Sequence, residues 1–261
     1  MSKNVNFAVE RQTKILEIIQ KKGSIKVEDI VDEYGISKMT AWRDLKELED
    51  NGLITKVYGG AVRKAENNNS EIPVDERALK NRSTKQKLAK YVVENYIKDD
   101  QVLFLDGGST VSETIPLIYQ SGITIVTNGL RTLNLISQID RKIRMISTGG
   151  EVREKSLTFI GDYAKPVIEI YTANIFLTSA TGFSLKNGIT DPDYLEANIK
   201  KEMKKRAKMV IALIDSSKFG KNSGVKVLNV DEIDILVTDS DAPKDMIKKI
   251  RDKGVKVEIV K

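Results

Sequence analysis

The chain contains no cysteine and no histidine among its 261 residues. The first absence excludes disulfides and thiolate metal sites, and the second removes the commonest general base and the commonest metal ligand. No metal or cofactor site is therefore expected. Long apolar runs are missing too: nothing approaches the roughly 18 residues a membrane span needs. Residues 1–7 carry no signal-peptide pattern. No membrane partner is expected, and the cytoplasm is the expected location.

What is present suits a small domain joined to a medium one. Forty per cent of the residues are hydrophobic, enough for a core, and the net charge is +6. That balance is compatible with a polyanionic partner without establishing one. Nor does charge locate a nucleic-acid site, since 12 basic and 10 acidic residues through Lys64 give +2 and leave +4 for the remainder. Pattern has to locate it.

Residues 10–22 place Ile15, Ile18 and Ile19 at helical spacing and stop at Gly23. A second helix face, Val27, Ile30, Val31 and Tyr34, ends at Gly35. Ser37 then stands as an N-cap before a helix over 38–51, whose inward stripe is Ala41, Leu45 and Leu48 and which Gly52 ends. Residues 53–57 and 61–63 read as a hairpin around Tyr58, Gly59 and Gly60. The segment 24–43 has the layout of a helix-turn-helix, which offers the N-terminal residues of its second helix to the major groove. The outward positions are Lys38, Thr40, Trp42, Arg43, Lys46 and Glu47. Arg43 can pair with guanine or phosphate, while Lys38 and Lys46 add charge. A small helical bundle with an exposed charged face fits the spacing as well. Trp42 lies beside the buried stripe, as either a boundary core residue or an exposed contact.

The run GISKMTAWRDLKELEDNGLITKVYGGAV (35–62) resembles the DeoR-type winged helix. Ser37, Thr40, Arg43, Asp44, Leu45, Leu48, Gly52, Gly59, Gly60 and Ala61 match that family's pattern. The resemblance implies that Ser37, Thr40 and Arg43 touch double-stranded operator DNA and that Gly59 and Gly60 lie in the wing. Trp42 replaces the first of the family's paired arginines, and Tyr58 stands where His or Arg is usual. One fewer Arg should lower the salt dependence of binding.

The winged helix is assigned to 7–62, a linker containing the polar stretch AENNNS to 63–76, and an effector domain to 77–261. A helix over 84–97 is followed by strands at 101–106, 123–127, 142–147, 174–180, 209–214 and 233–238, with helices at 110–119 and 130–137. A helix at 244–253 leads to 255–260. Alternating strands and helices with apolar strands predict an α/β domain with a mostly parallel sheet covered on both faces. Asp106, Gly107, Gly108, Ser109 and Thr110 follow a strand and open a helix, a place where backbone N–H groups and hydroxyls can cradle an anion. Asp106 can accept from a sugar hydroxyl. The same five residues also fit a tight turn. Other strand ends add Thr127 and Asn128, Gly149 and Gly150, and a 215–218 loop whose Lys218 can neutralise a phosphate.

Residues 84–220 are similar to the DeoR C-terminal sensor domain through Lys85, Leu88 and Ala89, then Asp106, Gly108, Ser109 and Thr110, then Val126–Asn128, Gly149–Gly150, Ile160–Gly161, Gly188–Thr190 and Asp215–Phe219. The resemblance implies a phosphorylated sugar or sugar-alcohol effector and a fold similar to ribose-5-phosphate isomerase and CoA transferases. An isomerase would use Asp106 and Lys218 as its carboxylate and charged stabiliser, but that family's second acidic loop and Lys-Gly-rich motif are missing, so no catalysis is expected. Glu196 and Lys200, one helical turn apart, read as a surface ion pair, and the lysine run that follows as a solvated helix face or an oligomer contact. The expected whole is a repressor, a homo-dimer or tetramer, released from DNA by its effector.

Overall fold

The computed structural model describes residues 3–51, 53–63 and 71–261. The stretch AENNNS of the expected linker, and the stop at Gly52, lie outside the described residues. The chain divides into two compact units, Met1–Arg82 and Ser83–Lys261.

The first unit runs α1 (Lys3–Lys22), β1 (Ser24–Lys26), α2 (Val27–Tyr34), α3 (Lys38–Asp50), β2 (Ile54–Val57), β3 (Gly60–Arg63) and α4 (Val74–Leu79). Gly35, in the left-handed region, ends α2, and the Ser37 side chain caps α3 by accepting from Thr40 N at 3.2 Å. Ile15, Leu16 and Ile19 of α1 pack with Ile30, Ala41, Leu45 and Leu48 into one core. β2 and β3 form the expected hairpin with a turn at Tyr58 and Gly59. The three-residue β1, unforeseen from sequence, pairs antiparallel with β3 as a third strand. Gly60 permits that pairing, since a Cβ there would lie 2.1 Å from the Ile25 carbonyl oxygen.

The second unit continues with α5 (Arg82–Tyr96), β4 (Val102–Leu105), α6 (Ser109–Ser112), β5 (Thr124–Thr127), α7 (Leu130–Ser137), β6 (Arg144–Ser147), β7 (Glu151–Arg153), β8 (Thr158–Ile160), α8 (Lys165–Ile170), β9 (Ile175–Thr178), β10 (Gly182–Ser184), β11 (Gly188–Asp191), α9 (Tyr194–Lys205), β12 (Val210–Leu213), β13 (Val225–Leu228), β14 (Ile235–Asp239), α10 (Lys244–Arg251) and β15 (Lys256–Val260). Seven strands form one parallel sheet in the order β15-β14-β12-β9-β4-β5-β6. Alternation along the strands sends Phe104, Phe176, Ala212 and Leu236 to one core with Ile199, Met203 and Ile250. It sends Leu103, Leu105, Leu177 and Val237 to the other with Leu88, Val92 and Ile136.

Two smaller antiparallel sheets, β7-β8 and β10-β11-β13, accompany the main sheet. The helix expected over 110–119 is instead the four-residue α6 and a separate 3-10 turn at Ile115–Leu117. Pro116 accounts for the break, because it has no N–H for a continuing helix.

Candidate functional site

The first unit presents α3 and the β2–β3 turn to solvent. Lys38, Arg43 and Lys46 are exposed, and Tyr58 at the turn is fully so. Gly59 supplies the positive φ of +82° that the turn requires. Ser37 and Thr40 join hydroxyls at 3.0 Å, and Lys38 reaches Glu28 on α2 at 3.3 Å. Trp42 is 36% exposed, at the border between stripe and surface. Met39, absent from the expected contacts, is 82% exposed. It lies two residues, about 200° of helix, before the buried Ala41, so helical spacing alone placed it on the outer face.

Asp44 carries the tie that holds α3. It is buried and accepts from Arg11 Nε at 2.6 Å, Arg11 Nη2 at 3.2 Å and Gln12 Nε2 at 3.2 Å. Gln12 also donates to Glu47. On the far end, Glu49 accepts from Lys56 N at 2.8 Å and pairs with its ammonium at 3.1 Å, fixing the hairpin to α3.

In the second unit, chain order runs β4, β5, β6 in one direction and then β9, β12, β14, β15 in the other, so the sheet reverses between β4 and β9. Ligands of open α/β sheets bind outside the carboxyl ends of the strands at such a reversal. Because the sheet is parallel, the 106–110 loop, Asn128, Gly149, Ser179 and the 215–218 loop all leave from that edge. The 106–110 loop packs directly on Gly129, the residue after Thr127–Asn128: a Cβ on Gly129 would lie 2.8 Å from the Gly107 Cα. Across them lies the β7–β8 hairpin, with Phe159 N donating to Asn128 O at 2.7 Å and Leu130 N to Leu157 O at 2.9 Å. A Cβ on Gly107 would come 2.2 Å from Thr158 Cγ2. Gly149 and Gly150, at φ of +67° and +115°, turn the chain from β6 into that hairpin. Lys218 stands after β12, on the same edge but two strands from β4.

Each residue of the 106–110 loop is buried. The Ser109 hydroxyl accepts from the buried Lys85 Nζ at 3.1 Å, which places a cation from α5 at the loop. With only four residues, α6 contributes little helix dipole, so anion-holding capacity falls to Lys85, the hydroxyls and the loop amides. Asn128 Oδ1 and Thr132 Oγ1, both on fully buried side chains, have no hydrogen-bond partner among the described residues. Buried polar atoms are nearly always paired, and these two lie beside the same loop.

Asp106 is fully buried and already engaged. Oδ1 accepts from Gly108 N at 2.6 Å, and Oδ2 from Thr178 Oγ1 at 2.7 Å and Ser179 N at 2.8 Å, with Lys200 Nζ at 2.9 Å. Lys200 does not form the expected surface pair with Glu196. It is 2% exposed and bridges Asp106 to Asp191, 2.7 Å away. Burial alone would lower its pKa, but the neighbouring carboxylates more than offset this and raise it. Glu196 turns instead to Arg153 of β7, which also meets Asp193 at 3.2 Å and ties the hairpin to the start of α9. The rest of the expected solvated face keeps Lys205, Arg206 and Lys208 exposed, while Lys204 pairs with Glu232 at 2.9 Å.

Residues 80–240 match the DeoR C terminal sensor domain and residues 11–67 the DeoR-like helix-turn-helix domain. The chain is 33% identical to YulB, an uncharacterized HTH-type transcriptional regulator of Bacillus subtilis strain 168, over 97% of each chain. It is 27% identical to the glycerol-3-phosphate regulon repressor of Escherichia coli K12, over 96% of this chain and 98% of that one. Among solved structures, ribose 5-phosphate isomerase A of Methanocaldococcus jannaschii aligns over 53% of this chain and 55% of its own, at 18% identity and a TM-score of 0.40. Among the described residues no helix is long and apolar enough to cross a membrane.

Proposed function

The chain belongs to the DeoR family of helix-turn-helix transcription regulators, and from that premise we propose that it is a cytoplasmic, homo-oligomeric repressor of a sugar-utilisation operon, released from its operator by a phosphorylated sugar or sugar alcohol. The observation that carries the effector class is the buried polar cluster at the strand mouths: Lys85 and Ser109 on one side, and Asn128 Oδ1 and Thr132 Oγ1 on the other. An ammonium suits a phosphate, and the Asn128 amide oxygen and Thr132 hydroxyl suit sugar hydroxyls. The name of the E. coli relative, which refers to glycerol 3-phosphate, points to the same chemistry.

In the unliganded oligomer, paired heads would meet the two halves of a symmetric site. An effector shifts such an arrangement only by its differential affinity for two states, and moving 99% bound to 1% bound takes about 5.5 kcal/mol. α5 starts at the boundary of the two units in the chain and carries Lys85, so a phosphate competing for Lys85 would act on the first helix that follows the head in sequence.

The proposal is for a binding protein and not an enzyme. Asp106, the carboxylate an isomerase mechanism would need, is ringed by four donors from its own chain, which leaves it poorly placed to move a substrate proton. The test is a gel shift of the full chain on a duplex from its own upstream region, at low salt. Retardation that one sugar phosphate abolishes, and its unphosphorylated parent does not, is the expected result. No retardation of any such duplex, or turnover of pentose phosphates that Asp106→Ala abolishes, overturns the proposal.

A further inference from the structure

The cluster around Lys200 sets an electrostatic problem for the site. Asp106 and Asp191 bring two carboxylates to the mouth of the sheet, both nearly inaccessible to water, and one ammonium stands between them. Outward from it, Arg153 pairs with both Glu196 and Asp193. Asp106 belongs to the very loop whose Ser109 meets Lys85, and its Oδ1 is bonded to the amide of Gly108. In this dry setting charges are weakly screened. A second anion arriving at Ser109 would be repelled by Asp106 unless that charge were cancelled nearby.

We propose that Lys200 is the internal counter-ion that makes the 106–110 loop receptive to an anion: a positioning residue that acts through Asp106 and sets how tightly a phosphate group is held. This rests on the sugar-phosphate reading above. Lys200 reaches the loop from α9 and Asp191 reaches the ammonium from β11, so the cluster also bolts the β10-β11-β13 sheet to the mouth of the main sheet. A bolt alone is a weak reason for buried charge, because apolar residues of similar volume usually stabilise as well or better. Two buried carboxylates around one lysine, beside a predicted anion site, make sense when charge balance itself is the property being set.

The two roles predict opposite signs for one substitution. The sum over Asp106, Asp191 and Lys200 is −1 as built, the neighbouring Arg153, Glu196 and Asp193 being the same in every variant. Asp191→Asn brings it to zero, Lys200→Met to −2, and the double variant returns it to −1. If Lys200 is a counter-ion, phosphate affinity follows charge: Asp191→Asn binds several-fold tighter than wild type, Lys200→Met at least tenfold weaker, and the double variant close to wild type. If the cluster is only a bolt, Asp191→Asn and Lys200→Met both weaken binding and the double variant is no better.

The probes are inorganic phosphate, glycerol 3-phosphate and ribose 5-phosphate, with glycerol and ribose as neutral controls, titrated against the full chain by thermal shift. The neutral controls should show no dependence on the cluster's charge. Should Lys200→Met fail to fold, Asp191→Asn alone decides, since tighter phosphate binding supports the counter-ion and weaker or unchanged binding overturns it. A wild-type protein that no phosphate compound stabilises sinks the sugar-phosphate reading and this inference together. A wild type that responds, with Lys200→Met responding equally, sinks only the role of Lys200.

Discussion

Arg11 and Asp44 meet at 2.6 Å, the guanidinium of α1 on a carboxylate of α3 that is 1% exposed. The pair is bidentate, and Gln12 adds a third donor. It explains why the acidic residue follows Arg43 in the motif: Asp44 faces inward and ties α3 to α1, while Arg43 faces out. Asp44→Ala should destabilise the first unit by about 1–3 kcal/mol, less than a fully buried pair would cost because Arg11 stays close enough to the surface to hydrate. Trp42 is the only tryptophan and lies on α3, so its fluorescence during denaturation reads this unit directly. An unchanged fluorescence midpoint would count against the tie.

Arg43 is exposed, so its removal should spare the fold. Arg43→Ala is expected to weaken operator binding by about 1–3 kcal/mol if the side chain reads a base, with the fluorescence midpoint unmoved. Trp42→Arg should add one phosphate contact and steepen the salt dependence, a change in log–log slope of about 1. Gel shifts at several salt concentrations measure both. Equal slopes for the Trp42→Arg variant and wild type would place residue 42 away from the DNA backbone.

Gly107 has no room for a side chain, with Thr158 Cγ2 where a methyl carbon would go. Gly107→Ala should therefore push the β7–β8 hairpin off the strand mouths, at a cost of about 1–3 kcal/mol, and blunt the stabilisation by sugar phosphate. Thr158→Ser removes only Cγ2 and keeps the hydroxyl that meets Ser156 at 2.7 Å. Combined with Gly107→Ala it should restore much of both losses. Thermal melts with and without ligand test this, and a double variant no better than Gly107→Ala would show that the clash is not the cause.

The parallel strands were legible because each is a short apolar run with both faces buried, such as Val102–Leu105 and Val210–Leu213. Ser37 was legible as a cap because its side chain solves a local problem, the unpaired amides of α3. Lys200 was misread as surface, although it lies three residues from both Ala197 and Met203, on the buried stripe of α9. Residue type argued for exposure and spacing for burial. Spacing prevailed because two carboxylates distant in sequence, Asp106 and Asp191, supply the compensation. Such partners become visible only once the topology brings the ends of β4 and β11 together. The hairpin over 151–160 was missed for a related reason: its strands are three residues long and β7 is largely exposed, leaving no alternation to read.

The same compensation makes a prediction about acid. Burial by itself would raise the Asp191 carboxyl, but Lys200 at 2.7 Å and the Thr181 amide at 2.9 Å outweigh it and hold it below the ordinary aspartate range. A carboxyl depressed in the folded state adds stability that is fully present above its unfolded pKa, about 3.9. That contribution disappears as pH falls through the lower folded value, where the proton must be taken up against the ammonium. The melting temperature of the second unit should therefore drop on going from about pH 5 to about pH 3. Glu232 and Glu258 are depressed as well and add to the drop, so the wild-type curve alone does not isolate Asp191. The difference from Asp191→Asn does. The variant lacks this proton, begins less stable at pH 5 and should lose less on the way down, so that the two curves converge in acid. Curves that run parallel throughout would mean that Asp191 binds its proton equally in the folded and unfolded chain, and the bridge through Lys200 would then carry no linkage to pH.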